Sequence, residues 1–226
     1  MRPVGDHAAL LELPDNESVH VAARLVRERF GDQLLEVVPG DVTLLVSWDE
    51  GLDDAITLMS DLKALASDAS AFKSDMRAEG TAQSEVVTIP VRYDGADLDA
   101  VAATLGLSAD AVVALHSGAT YTVAFTGFAP GFPYLRATGR SGYSGAGGER
   151  GSGDVVRLLA LPRLTTPRTE VPGGSVAVAA GYCGVYPRAS PGGWNLLGRT
   201  DAVLFDAARD RPALLEPGMR VRFEPV

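Results

Sequence analysis

The chain of 226 residues has one cysteine, Cys183, and lacks long apolar runs. A single thiol excludes an internal disulfide and is typical of a protein kept in a reducing compartment. No apolar stretch reaches the ~20 residues that a membrane-spanning helix requires, and the N-terminal stretch MRPVGDHAAL lacks the apolar segment of a secretory signal. We therefore expect a cytoplasmic protein without a membrane partner.

Motifs that bind nucleotides or metals are also missing. The sequence contains no P-loop, no glycine-rich dinucleotide motif after a strand and no hydrolase nucleophile elbow. The three histidines, His7, His20 and His116, lie far apart in the sequence and show no ligand spacing with Cys183. Nothing beside Cys183 supplies a base, so a small buried side chain is favoured over a nucleophile. The sequence predicts no metal and no cofactor held by a recognisable motif.

The net charge is −9, from 29 acidic and 20 basic residues. This balance argues against a nucleic-acid partner, which would require a basic face. The arginines concentrate late in the chain, at 136–168 and 188–222. A locally basic site for a small anion therefore remains compatible with an acidic protein.

The first half of the chain predicts a small α+β domain. Apolar periodicity and turn residues indicate, in order, a strand, a helix capped by Ser18, two strands of a hairpin and a second helix, at residues 8–13, 18–30, 34–38, 42–48 and 52–66. This order favours a ferredoxin-like module. The polar stretch 78–84 is interpreted as a linker, which gives domains 1–82 and 83–226.

The second half predicts a β-barrel with a small helical insertion. Strands are expected at 85–93, 121–128, 202–206 and 219–223, with helices at 98–105 and 108–116. The Gly/Ser-rich stretch 136–154 is interpreted as a variable surface loop, and the alternative is a lid over a nearby site.

Residues 162–200 alternate prolines and glycines with arginines and aromatics. These are either tight turns that close a barrel or a rigid binding surface, and the composition leaves both open. Arg163 and Arg168 lie on a proline-stiffened segment suited to a carboxylate or phosphate, although Arg168 could simply pair with Glu170. His116 and Trp194 have similar alternatives, in the core or in a site.

Three long motifs resemble the allophanate hydrolase subunit 1 family, which includes the B-type subunit of 5-oxoprolinase and the kinase inhibitor KipI. They are GFAPGFPYL at 127–135, PRLTTPRTEVPGGSVAVA at 162–179 and VYPRASPGGWNLLGRT at 185–200. The resemblance implies a ferredoxin-like N-terminal domain followed by a cyclophilin-like β-barrel. It also implies that the chain is a subunit, inactive alone, of an enzyme that converts 5-oxo-L-proline to L-glutamate.

The implied partners are an allophanate hydrolase subunit 2 homologue, equivalent to the C-type subunit of 5-oxoprolinase, and a third subunit. ATP is then used by the assembled complex, and the substrate is a small amide. Two other functions known in this family remain open: inhibition of a histidine kinase, as by KipI, and a carboxyltransferase-like role in a biotin-dependent urea or amide carboxylase.

Carried over by motif, the resemblance implies eight candidate substrate-binding residues: His116, Phe128, Phe132, Tyr134, Arg163, Arg168, Tyr186 and Trp194. We also advance the hypothesis that Arg168 holds a carboxylate. The chain departs from the family pattern at Tyr182-Cys183-Gly184, where members often carry Gln-Thr-Gly. The stretch 136–154 is longer than the family's usual connection.

Overall fold

A computed structural model of the chain describes residues 1–49, 57–64, 86–138 and 152–226. The chain divides into two compact units, Met1–Gln83 and Ser84–Val226. The predicted linker at 78–84 lies outside the described residues, as does most of the Gly/Ser-rich stretch.

The described part of the first unit consists of β1 (Arg2–Pro3), β2 (Ala8–Glu12), α1 (Asn16–Phe30), a 3₁₀ turn (Gly31–Gln33), β3 (Leu34–Pro39), β4 (Thr43–Trp48) and α2 (residues 57–64). Its strands form an antiparallel sheet of order β1-β2-β4-β3. Helix α1 buries Val19, Val26 and Phe30 in the same apolar cluster as Leu11 and Leu44 of the sheet. Burial of these side chains on one face of α1 anchors it to the sheet.

The N-cap of α1 corrects the sequence prediction. Asp15, and not Ser18, caps the helix: its Oδ1 accepts hydrogen bonds from the backbone nitrogen and the hydroxyl of Ser18, both at 2.9 Å. An aspartate at this position satisfies a helix N–H and favours the positive end of the helix dipole.

The ferredoxin-like arrangement stays a prediction. Strand β4 lies between β2 and β3, but the other side of β2 pairs with the N-terminal β1. The strand expected after the second helix would fall within residues 65–85, which are outside the described residues.

The described elements of the second unit are β5 (Val86–Val91), α3 (Leu98–Leu105), α4 (Ala109–Gly118), β6 (Thr120–Thr126), β7 (Pro133–Thr138), α5 (Ser152–Leu159), β8 (Arg168–Val171), β9 (Ser175–Ala179), β10 (Tyr182–Val185), β11 (Ser190–Gly192), β12 (Asn195–Arg199) and β13 (Arg220–Pro225). These strands form a curled seven-stranded sheet of order β12-β9-β10-β7-β6-β13-β5 and a two-stranded sheet of β11 and β8.

The two ends of the seven-stranded sheet meet. Arg92, directly after β5, exchanges backbone hydrogen bonds of 2.9 and 2.8 Å with Arg199 of β12. The sheet thus curls until its edge strands touch, which leaves fewer unpaired edge groups. The mixed α+β class predicted from the sequence is confirmed.

Local capping signals predicted α3 and α4 well. Gly106 ends α3 in a left-handed conformation, and the Ser108 side chain accepts a hydrogen bond from the nitrogen of Ala111 at the start of α4. Two other predictions were wrong. Residues 202–206 form no strand, apart from an isolated bridge at Phe205, and α5 lies partly within the stretch predicted as a loop.

Side chains of the curled sheet alternate between two faces, as the period of a β-strand requires. In β9, Val176 and Val178 belong to the core shared with α3, α4 and α5, whereas Ala177 and Ala179 belong to a second, aromatic-rich cluster. The sheet therefore has one face packed on helices and one face rich in aromatic rings.

No single helix in the described ranges is long and apolar enough to cross a membrane. Helices α3 and α4 reach the length and apolar composition of a membrane span only when they are taken together, and their axes are bent by 92° relative to each other.

Gly198 tests how much the meeting of the two sheet edges contributes to stability. A Cβ there would overlap the carbonyl oxygen of Arg92 and lie 3.0 Å from the Cα of Tyr93. We expect Gly198→Ala to lower the free energy of unfolding by about 1–3 kcal/mol, as overpacking does. Urea unfolding measures this loss, and amide exchange at Arg92 should speed up.

Gly118→Ala is the matched control, because no atom lies within 4 Å of a Cβ at Gly118. Its stability should equal or exceed that of the wild type. Equal stabilities of the two variants would show that the contact between the edges contributes little.

Candidate functional site

Seven aromatic side chains cluster on the sheet face opposite the helices, and we call this surface the aromatic face. They come from β6, the 127–132 loop, β7, β10, the residue after β10 and the residue before β12: Phe125, Phe128, Phe132, Tyr134, Tyr182, Tyr186 and Trp194. Five of them were predicted site residues, and the structure brings these five together.

Phe132 lies at the centre of the aromatic face. Its ring centroid is 5.1 Å from that of Tyr134, 5.2 Å from that of Tyr186 and 5.5 Å from that of Trp194, all in edge-to-face geometry. Phe132, Tyr186 and Trp194 are buried. Glycine is required at 184, because a Cβ there would lie 2.8 Å from the Phe132 ring. These three rings form a fixed floor.

The other side of the aromatic face is half-exposed. Phe125 and Tyr134 stack with centroids 4.3 Å apart, and Tyr182 meets both rings edge-on at 5.5 Å. The Arg136 guanidinium lies 5.3 Å from the centre of the Tyr182 ring, a cation–π distance. The sequence prediction missed Phe125, Tyr182 and Arg136. Strand alternation from Tyr134 and Gly184 could have placed Arg136 and Tyr182 on this face. Phe125 reaches it only through the register shift between Val123 and Phe125, which no sequence pattern predicted.

The GFAPGF loop presents an exposed ring at the edge of the aromatic face. Phe128 adopts φ of 66° and is 61% exposed, and its ring contacts those of Phe132 and Tyr186 at 5.2 and 6.1 Å. A bulky residue at positive φ is strained, and such strain concentrates at functional sites. Residues 126–131 line an open groove of about 330 Å³ beside this ring.

Arg168 is engaged by the chain itself. Its Nη2 donates to Oδ1 of Asp97 at 2.7 Å, and its Nη1 donates to the Trp194 carbonyl oxygen at 3.5 Å. The second oxygen of Asp97 accepts from the backbone nitrogen of Leu196 at 2.7 Å. Both charged side chains are largely buried, at 29% and 13% exposure. The carboxylate that Arg168 holds is therefore that of Asp97, and the expected pair with Glu170 is not the one formed.

Arg163 differs from Arg168 in its surroundings. It is exposed and makes no hydrogen bond or ion pair with the residues that the structure describes. Burial raises the pKa of Tyr134, and the Arg163 charge partly offsets that rise. The pKa of Tyr186 is raised by burial too, and a backbone hydrogen bond from Trp194 and the charges of both arginines oppose the shift.

His116 lies apart from the other predicted site residues, in the core on the helix side of the sheet. It is fully buried, with Nδ1 2.7 Å from the Tyr93 hydroxyl and Nε2 3.2 Å from Sγ of Cys183. Burial lowers the pKa of His116 to about 3 and raises the pKa of the Cys183 thiol. The pair is thus neutral at physiological pH, without the thiolate that a nucleophile needs.

The groups of the aromatic face are suited to binding. It offers rings, tyrosine hydroxyls and guanidinium groups, while the nearby Asp97 carboxylate is held in an ion pair. Within the described ranges, no three His, Cys, Asp or Glu side chains are grouped to hold a metal ion. This chemistry suits a compact ligand with an apolar body and a negative charge.

Comparison with known sequences identifies relatives across nearly the whole chain. The family model described as the carboxyltransferase domain, subdomains C and D, matches residues 1–215. The chain is 38% identical over 231 residues to the B-type subunit of 5-oxoprolinase from Escherichia coli O157:H7, covering 98% of this chain and 94% of the relative. The protein of the same name from Bacillus subtilis is 31% identical, with 97% and 90% covered.

Solved structures are similar as well. TTHA0988 superposes with a TM-score of 0.73 at 35% identity; the match covers 97% of this chain but only 40% of that longer chain. PH0987 from Pyrococcus horikoshii is 32% identical with a TM-score of 0.53, covering 100% and 96%. The K. lactis urea amidolyase shares the fold, with a TM-score of 0.69 at 19% identity over 14% of its length.

The buried His116 predicts a specific acid sensitivity. An unfolded histidine has a pKa of about 6.5, whereas folding lowers that of His116 to about 3. Between these values the unfolded state binds a proton that the folded state does not, so stability falls as the pH drops. From pH 6.5 to 4, we expect His116→Gln to lose about 3 kcal/mol less than the wild type.

Urea unfolding followed through Trp194 in a Trp48→Phe background measures this difference in the second unit. His7→Gln is the control, because His7 is exposed. It should keep the wild-type pH dependence. A His116→Gln variant as acid-sensitive as the wild type would contradict the neutral buried state.

Strain at Phe128 predicts that two truncations of the same ring differ in stability. Phe128→Gly and Phe128→Ala both remove the ring contacts, but only glycine relieves the cost of φ 66°. We expect the glycine variant to be more stable by about 1 kcal/mol. Urea unfolding of the two variants checks this, and an alanine variant of equal or greater stability would contradict it.

Proposed function

The chain belongs to the family of 5-oxoprolinase B-type subunits, and on that premise we propose that it is a non-autonomous subunit of an ATP-dependent 5-oxoprolinase-type complex. The complex would add one water across the lactam C–N bond of 5-oxo-L-proline, giving L-glutamate, while a second water hydrolyses ATP to ADP and phosphate. The full-length similarity to proteins of that name is the observation that carries the proposal.

The aromatic face supports a role in a shared site. It offers aromatic rings, tyrosine hydroxyls and the guanidinium of Arg163, which could bind a ligand on which groups of another subunit also act. The substrate-binding role of Phe128, Phe132, Tyr134, Arg163, Tyr186 and Trp194 is part of this proposal. His116 and Arg168 would act indirectly, through the core and through Asp97.

The proposed partners are an allophanate hydrolase subunit 2 homologue, equivalent to the C-type subunit of 5-oxoprolinase, and a third subunit. The length of TTHA0988 supports a close association with further sequence, because the region similar to this chain makes up 40% of that single polypeptide. In this proposal the cyclophilin-like barrel is the unit that meets the partner, ATP is used by the complex, and the complex is cytoplasmic.

A second candidate is a carboxyltransferase-like subunit of a biotin-dependent amide carboxylase. The description of the matching family model, a carboxyltransferase domain, favours it. The two candidates differ in the co-substrate that the complex consumes, since a carboxylase requires bicarbonate and a biotinylated carrier.

The proposal predicts that ATP hydrolysis dependent on 5-oxoproline requires this chain. The subunits encoded by the neighbouring reading frames are purified with and without this chain. Phosphate release from ATP is then measured with and without 5-oxo-L-proline. We expect substrate-dependent release only from the full set. A well-formed complex that lacks this activity but uses bicarbonate with a biotinylated carrier would replace the proposal with the carboxylase, and failure to form any complex would favour the kinase inhibitor.

A further inference from the structure

The two arginines of the 162–168 segment have different roles in the structure. Arg168 already has a buried carboxylate partner in Asp97 and a carbonyl partner at Trp194. A ligand could take this guanidinium only by leaving the Asp97 carboxylate buried without its counter-charge, which is strongly unfavourable. Arg168 is therefore a structural group.

Arg163 is held in place by its neighbours in the chain. The Pro162 carbonyl oxygen accepts a hydrogen bond of 3.0 Å from Nδ2 of Asn195, and the Leu164 nitrogen donates to the Gly193 carbonyl oxygen at 2.7 Å. The backbone on both sides of Arg163 is thus tied to the segment that carries Trp194. A guanidinium on such a fixed backbone loses less entropy when it binds an anion.

The surroundings of Arg163 leave its charge available. The ion pairs of the described residues do not include it, and the backbone on both sides of it is bonded to the 193–195 segment, whose Trp194 ring centroid lies 5.7 Å from that of Tyr134. In keeping with this position, the charge of Arg163 opposes the rise that burial causes in the pKa of Tyr134. Tyr134 is half-buried, and its hydroxyl makes no hydrogen bond with the described residues. With respect to the described residues, a guanidinium without an ion pair and a hydroxyl without a hydrogen bond therefore lie at the border of the aromatic face.

We propose that Arg163 and the Tyr134 hydroxyl form the carboxylate subsite of this chain, and that the rings beside them take the apolar body of the ligand. The inference rests on the proposed function, and it deepens that proposal by assigning the substrate carboxylate to Arg163 and a positioning role to Asp97 and Arg168. The ligand class is a compact monocarboxylate with an apolar ring or chain.

Two probes separate the carboxylate from the rest of the ligand. 5-Oxo-L-proline and 2-pyrrolidinone share the lactam ring, but only the first has a carboxylate. The full chain with Trp48→Phe has Trp194 as its only tryptophan, because the sequence contains two. Trp194 lies 5.7 Å from Tyr134, centroid to centroid, so its emission reports on this part of the face. Ligand-observed NMR gives an independent measure of binding.

We expect 5-oxo-L-proline to bind saturably and 2-pyrrolidinone to bind at least tenfold more weakly. Arg163→Met should weaken binding of 5-oxo-L-proline by about tenfold or more, with partial recovery in Arg163→Lys. It should leave the urea midpoint unchanged, because the side chain is exposed. Arg168→Met should instead lower the urea midpoint, because it leaves the largely buried Asp97 carboxylate without its counter-charge.

Arg157→Met is the matched control. Arg157 is 61% exposed on α5, which packs on the other side of the sheet, so this variant removes the same charge without touching the aromatic face. It should bind 5-oxo-L-proline as the wild type does. If Arg157→Met and Arg163→Met weaken the binding of 5-oxo-L-proline equally, the effect comes from the net charge of the chain, and the inference is overturned.

The inference and the proposed function fail in different ways. If neither the chain alone nor the assembled complex binds 5-oxo-L-proline more tightly than 2-pyrrolidinone, the carboxylate subsite is wrong, whether or not the complex hydrolyses ATP. If an assembled complex containing Arg163→Met keeps the wild-type KM for 5-oxo-L-proline, the subsite is again wrong while the function stands. A wild-type complex without 5-oxoproline-dependent ATP hydrolysis overturns the function itself.

Discussion

The position of the aromatic face depends on one carboxylate, that of Asp97. Asp97 occupies the N-cap of α3, yet its side chain makes no hydrogen bond to that helix. It accepts instead from the backbone nitrogen of Leu196 and from the guanidinium of Arg168, both at 2.7 Å. A hydrogen bond from the first turn of α3 to the Asp97 side chain would stabilise the helix by about 1 kcal/mol, and Asp97 does not make it. In exchange, a largely buried ion pair ties β8, β12 and the start of α3 together and sets where Trp194 lies.

The curled sheet can serve two purposes because its strands alternate. In β10, Cys183 and Val185 face the helices, while Tyr182 and Gly184 face the aromatic side. Strands β9 and β10 thus contribute to the core and to the aromatic face at once. Gly184 shows the constraint on the second face, since any side chain there would displace the Phe132 ring. The rings of the floor are consequently fixed by the backbone beneath them.

Local signals made part of this structure predictable. Gly106 and Ser108 mark the end of α3 and the start of α4 because helix capping involves residues only a few positions apart. The polar pairs on the two sides of the sheet are distant in sequence instead: Asp97 and Arg168, beside the aromatic face, are 71 residues apart, and His116 and Cys183, in the core, are 67 apart. No local pattern reports such pairs, so Arg168 was predicted to be a ligand group and the histidine beside Cys183 was not foreseen. The five aromatic residues from the three motifs were predicted together because motif resemblance already includes tertiary proximity.

The departure at Tyr182-Cys183-Gly184 acts on two faces that do not touch. Cys183 places a neutral thiol 3.2 Å from the buried His116, which concerns the stability of the core. Tyr182 faces the other way, where it meets Phe125 and Tyr134 and lies under the Arg136 guanidinium. Cys183 differs from the family pattern on the core side, where a change need not affect ligand binding. Tyr182 differs on the other side, where it adds a ring that the Arg136 guanidinium contacts at the border of the aromatic face. Selectivity among small anionic ligands should accordingly depend on Tyr182 and Arg136 more than on Cys183, because those two side chains lie on the aromatic face and Cys183 lies in the core.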